Sequence, residues 1–165
     1  MKIPDLAPGV RPARPDDVPA VAELIRALAV HERQPTAARA SDAQLTDELF
    51  GDDPSAHCLV AERAASVVGI AVWHRTFSTW TGTAGIHLVD LFLHQDARGS
   101  GLGRGLMVSL ARIATANGWA RLEWDVSDWN MPSIAFYDAL GGQPVPGLIG
   151  YRLSDDSLRA VAALD

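Results

Sequence analysis

Apolar side chains recur at Val18, Val21, Ala22, Ile25, Leu28 and Ala29, the three-and-four spacing of one helix face. Asp16 and Asp17 stand just ahead and open the helix, whose apolar face is predicted to pack on a sheet. Val10 to Arg14 reads as a short strand before it. Ser41 to Gln44 has the capping-box pattern of a second short helix ending near Phe50, and Gly51-Asp52-Asp53-Pro54 is a loop by composition. The pattern then changes. His57 to Glu62 and Val67 to Arg75 are dense in strand formers and separated by a short turn near Ala65-Ser66, the signature of an antiparallel hairpin. Gly85 to Leu93 adds a third strand.

Helical spacing returns with Leu102, Leu106, Leu110 and Ile113, and Asn117-Gly118 supplies the stop. Arg121 to Val126 reads as a strand, Pro132 to Leu140 as a helix closed by Gly141-Gly142, Leu148 to Leu153 as a last strand and Asp155 to Ala163 as a terminal helix. These elements predict a mixed α/β domain of the α+β type. With 165 residues and no internal repeat or low-complexity linker, one domain spanning 1–165 is expected.

Composition narrows the chemistry. Hydrophobic residues make up 48% and charged residues 21%, the balance of a globular chain. No apolar run approaches the roughly 20 residues of a membrane span, and the N-terminus lacks the blocks of a signal peptide, so a cytoplasmic protein without a membrane partner is expected. Cys58 is the only cysteine and forms no internal disulfide; within an apolar strand it reads as a small buried hydrophobe rather than a nucleophile. The net charge of −6 disfavours nucleic acid and favours a cationic substrate. No histidine and carboxylate cluster has metal-ligand spacing, so no metal is expected.

The strand ending at Leu93 is followed by Arg98-Gly99-Ser100-Gly101-Leu102-Gly103-Arg104 and then by a helix. Alternating glycines expose backbone N–H groups, and the positive end of the helix dipole adds to their pull on an anion such as a pyrophosphate. The run lacks the Gly-Lys-Ser/Thr ending of a Walker loop and the third glycine of the dinucleotide pattern. It resembles the acyl-CoA pyrophosphate loop of the GNAT superfamily of N-acetyltransferases. Asp128-Trp129-Asn130-Met131-Pro132-Ser133-Ile134-Ala135-Phe136-Tyr137 resembles that superfamily's second motif. His57 to Glu62, Trp80 and Trp129-Asn130 are similar to its polyamine (spermidine/spermine) branch.

The resemblance covers about residues 10 to 155 and implies a central, mostly antiparallel sheet that splays to admit acetyl-CoA, a small-molecule amine as acceptor, and a homodimer. It implies that Leu91, Phe92 and Leu93 bind the pantetheine arm, through backbone groups of 91 and 93, that Asn130 and Ser133 help hold the cofactor, and that Tyr137 protonates the leaving thiolate.

The pattern also breaks. An alkylammonium with a pKa of about 10.4 must lose a proton before attack, and the adjacent Glu-Asp pair of the polyamine branch is here Val89-Asp90. The acid two residues before the branch's tryptophan is replaced by Ser78, ahead of Trp80, while Glu32 matches an acidic position at the end of the first helix. Asp90 is a candidate base, but strand neighbours point to opposite faces, so it need not reach where a side chain at 89 would. His87 shares the nominal face of Val89, about 6.6 Å along the strand, and histidine is the side chain type suited to proton transfer near neutral pH. His87 or Glu32, directly or through water, is the expected assistant, and Trp80 either lines an acceptor pocket or covers the core. The acceptor stays open among diamines, polyamines and lysine-like amino acids. The alternative is a non-catalytic acyl-CoA-binding or sensing module.

Overall fold

The computed structural model describes residues 1–164. Five strands, β1 (Val10–Pro12), β2 (His57–Arg63), β3 (Ser66–Ser78), β4 (Thr83–Leu93) and β5 (Arg121–Trp124), lie side by side in chain order. Each pair from β1 to β4 is antiparallel, and β4 and β5 run parallel. Among the described residues the helices are α1 (Val18–His31), α2 (Asp42–Phe50), α3 (Leu102–Ala116), α4 (Met131–Ala139) and α5 (Asp155–Ala162). The mixed, mostly antiparallel α/β architecture expected from the sequence is present. The chain forms two compact units, Met1–Trp129 and the stretch from Asn130 onward.

In the first unit the strand alternation sorts the core into two layers. Cys58, Val60, Ile70, Val72 and Phe92 meet Val21 and Leu24 of α1 and Leu49 of α2. On the other face Leu59, Trp73 and Ile86 are buried with Leu106, Leu110 and Ile113 of α3. The α3 layer is tied to the N-terminal segment by the Ala7 N–H, which donates to the buried Ser109 Oγ at 3.0 Å.

Local chemistry explains the boundaries. The capping box forms as the sequence indicates: Gln44 N–H donates to Ser41 Oγ at 3.2 Å, and Ser41 N–H to Gln44 Oε1 at 2.9 Å. Arg63 pairs with Ser66, so the β2–β3 turn falls on Ala64 and Ala65, both left-handed at φ 50° and 62°. That is the two-residue connection whose twist matches the flanking strands, one residue earlier than expected.

In the second unit α4 ends in a left-handed Gly141 at φ 86°, and α5 is capped at Ser154. The strand expected at Leu148 to Leu153 is absent from the described residues. The apolar run there is flanked by Gly147 at φ 81° and interrupted by Gly150, and it has no ladder partner, without which an isolated strand is not stable.

Candidate active site

The β3–β4 ladder is out of step at one point. His87 stands opposite His74 and Leu88 opposite Trp73, but Asp90, not Val89, stands opposite Val72. Val89 is therefore the extra residue of a β-bulge and is 53% exposed. The bulge corrects the expectation drawn from simple alternation. Asp90 shares the face of His87 and Phe92, toward α1, and Val89 leaves the alternation. His87 is half-buried, its ring 5.2 Å from that of His74.

Asp90 looks into a cavity of about 240 Å³, walled by Ile25, Leu28 and Ala29 of α1 and by Glu32 and Gln34 just beyond it. Burial pushes the Asp90 carboxyl above the usual carboxylate range. His87 is outside this lining. Glu32 and Asp90, separate candidates in the sequence, thus meet at one cavity.

The end of α1 is a Schellman turn: Gln34 N–H donates to Ala29 O at 2.8 Å and Arg33 N–H to Val30 O at 3.1 Å, with Arg33 left-handed at φ 60°. Glu32 Oε2 accepts a 2.8 Å hydrogen bond from Ser127 Oγ, and the Arg33 guanidinium lies 4.1 Å over the Trp129 ring. Ser127 and Arg33 carried no motif and were not legible as site residues. Trp129 was legible only beside Asn130.

Pairing of β4 with β5 stops at Leu88 and Trp124, while β4 runs on to Leu93. Beyond the sheet, His94 N–H donates to Val68 O at 2.8 Å. In an antiparallel ladder this phase makes Phe92 and Asp90 the hydrogen-bonded partners of β3 and turns the backbone groups of Leu91 and Leu93 to the other edge, where β5 has left. The side chain of Phe92 is buried in the α1 layer, so what this run offers at the gap is backbone.

Five residues past β4 comes the glycine loop. Gly99 and Gly101 are left-handed, at φ 75° and 86°, and a Cβ built on either would meet nothing within 4 Å. Ser100 Oγ donates to Ala97 O at 2.6 Å, and Arg98 Nε to Leu93 O at 3.4 Å, which anchors the loop to the end of β4. No side chain caps α3, and its first intrahelical bond is Gly105 N–H to Gly101 O. The N–H groups of Leu102, Gly103 and Arg104 therefore point out of the helix end, beside two exposed arginines, Arg98 and Arg104. This is an anion cradle, with Gly103 inside the first turn of α3 rather than in the loop.

In the second unit Asn130 is buried and caps α4, its Oδ1 accepting from Ser133 N–H at 3.3 Å. Tyr137 is half-buried on the same helix, its ring 5.2 Å from that of Phe136.

Of the two readings left open for Trp80, core cover is overturned: it is 97% exposed in the β3–β4 turn. Burial pushes the Cys58 thiol up to about 12, which fits an inert core residue. Among the described residues no helix is long and apolar enough to cross a membrane, and no group of three metal-ligating side chains gathers.

The model of the acetyltransferase (GNAT) family matches residues 20–141. The thialysine N-epsilon-acetyltransferase of Mus musculus is 30% identical over 164 residues, covering 93% of this chain and 96% of that protein. The spermidine/spermine N(1)-acetyltransferase-like protein 1 of Homo sapiens is 30% identical over 151 residues, 87% of this chain and 22% of its own length. An integron cassette protein from V. cholerae has the same fold, with a TM-score of 0.79 at 23% identity over 94% of this chain and 97% of its own.

Proposed function

The chain belongs to the GNAT family of N-acetyltransferases, and from that premise we propose that it transfers the acetyl group of acetyl-CoA directly to a primary amine of a small molecule, a diamine, a polyamine or a lysine-like amino acid. The observation that carries the reading is the gap after Leu88, bordered by Leu91 and Leu93 and followed at once by the anion cradle at the start of α3. A long thioester tail needs an extended backbone to lie on, and a pyrophosphate needs N–H groups and a helix end. Sheet edge and cradle follow one another within a dozen residues.

Each group then has a task. Gly99 to Arg104, with Arg98, hold the pyrophosphate. Backbone groups of Leu91 and Leu93 hold the pantetheine arm and polarise the thioester carbonyl. The acceptor enters as an ammonium and gives a proton to Asp90, whose raised pKa makes it a better base than an ordinary carboxylate. The free amine attacks the carbonyl carbon, the tetrahedral intermediate collapses, and the C–S bond breaks. Tyr137, assigned from the motif that begins at Asn130, gives the departing thiolate its proton and is reprotonated by the excess proton that the acylated nitrogen sheds to leave the neutral amide, while Asn130 and Ser133 support the cofactor side of that motif. Glu32 holds a second charge on the acceptor. Trp80 and His87 contribute to acceptor binding at most. The reading takes 1–165 as one N-acetyltransferase domain, working as a homodimer in the reducing cytoplasm that the lone, buried Cys58 suits.

Thiol release from acetyl-CoA, measured over spermidine, putrescine, lysine, thialysine and an aminoglycoside, tests the reading. Turnover with at least one amine and formation of its N-acetyl product are expected. Tight acetyl-CoA binding with no turnover on any amine would overturn it in favour of a binding module.

A further inference from the structure

We propose that Glu32 and Arg33 read the head group of an α-amino acid, Glu32 its α-ammonium and Arg33 its α-carboxylate, so that the group acetylated is the amine at the far end of the side chain. The inference rests on the acetyltransferase reading above and selects among its acceptors.

The two residues are adjacent and opposite in charge, and both are held from one segment. Ser127 fixes the Glu32 carboxylate through its 2.8 Å hydrogen bond, and Trp129, two residues on, holds the Arg33 guanidinium 4.1 Å above its ring. Arg33 also occupies a position that glycine would fill without strain. At the left-handed turn residue of a Schellman motif an L side chain is strained, yet the chain carries an arginine there at φ 60°. That cation is exposed and makes no ion pair among the described residues. With one guanidinium face against the indole, its N–H edge remains for an anion, and a carboxylate is the planar two-oxygen partner that fits it.

The cavity supplies the other half. Glu32 and Gln34, on either side of Arg33, line it, and Asp90 lines it as well. The walls also include Ile25, Leu28 and Ala29, apolar surface suited to the methylene stem of an amino acid. A polyamine has nothing for Arg33 to bind.

Lysine and cadaverine differ only in the carboxylate, and lysine and 6-aminohexanoate only in the α-amine, so the three together test the assignment. The wild-type protein is expected to favour lysine over cadaverine in kcat/KM by about tenfold or more, the weight of one charge-assisted contact. Arg33→Gln and Arg33→Gly should each raise the KM for lysine about tenfold while leaving cadaverine and acetyl-CoA within twofold. Arg33→Gly also relieves the strained turn, so a folding defect does not mimic the result. Glu32→Gln should raise the KM for lysine and spare 6-aminohexanoate. Equal use of lysine and cadaverine by the wild type would overturn the proposal. So would a rise in the acetyl-CoA KM in the Arg33 variants, which would assign the cation to a cofactor phosphate. Failure of every amine to release thiol would overturn the parent reading and this inference with it.

Discussion

Asp90 stands opposite Val72 in the β3–β4 ladder, although counting alternately from His87 would turn it to the other face. The single extra residue, Val89, puts the only acid of this strand segment on the side where α1 and its cavity lie. If Asp90 is the base, Asp90→Asn should lower kcat by about 100-fold or more, the usual scale for a lost general base. Its pH profile should also change. Burial raises the Asp90 pKa, so the acid limb of wild-type kcat/KM should sit above the ordinary carboxylate value of 3.8, and the variant's residual rate should lack that limb. An Asp90→Asn protein with wild-type turnover would remove Asp90 from the mechanism.

The same burial makes a prediction about stability. A carboxyl whose pKa is higher in the folded chain than in the unfolded chain keeps its proton longer when folded. The native state then binds more protons between the two values, and stability falls as the pH rises through that window. Above it, the buried charge is a standing penalty. Asp90→Asn should therefore melt at a higher temperature than the wild type at pH 7, and the gain should vanish below pH 3.8. Paired thermal melts at the two ends of the window check it. A variant less stable at pH 7 would mean that the carboxylate has a stabilising partner.

The bulge also marks where sequence reasoning stopped. Helix faces, the hairpin and the capping box were legible because each is a local pattern: period, turn chemistry, a serine three residues from a glutamine. A bulge leaves no such mark. Val89 and Asp90 look like any strand neighbours, and only the register against Val72 and Trp73 shows which one is extra. The contact between Ser127 and Glu32 joins residues far apart in the chain, and neither Ser127 nor Arg33 belongs to a motif, so this part of the site had no sequence signal at all. Leu148 to Leu153 failed for the opposite reason: the local pattern read as a strand, but a strand exists only with a partner.

For the glycine loop the expected effect is on the cofactor alone. Gly101 caps α3 at φ 86° and has open space where a Cβ would stand, so alanine there meets strain rather than a clash. A left-handed alanine carries about 1–2 kcal/mol, enough to shift the loop out of register with an anion. Gly101→Ala should raise the KM for acetyl-CoA roughly five- to thirtyfold and leave the amine KM unchanged. Steady-state kinetics with each substrate varied in turn would show the split, and an unchanged acetyl-CoA KM would separate the loop from the cofactor.

Tyr137 carries the sharpest test of the chemistry. Its hydroxyl is the one part of the side chain that tyrosine has and phenylalanine lacks, so Tyr137→Phe keeps the ring and its contact with Phe136 and removes the proton. A general acid acts only as the C–S bond breaks, and the ground-state complex does not use it. The variant should therefore lose roughly 100-fold or more in kcat while binding acetyl-CoA as the wild type does. The loss should also depend on the leaving group. A thioester whose thiol is more acidic than CoA needs less help from a proton donor, so with an activated acetyl thioester the gap between Tyr137→Phe and wild type should narrow. An equal deficit with both donors would point to packing or positioning as the role of Tyr137, and equal rates in the two proteins would leave the thiolate to be protonated by water.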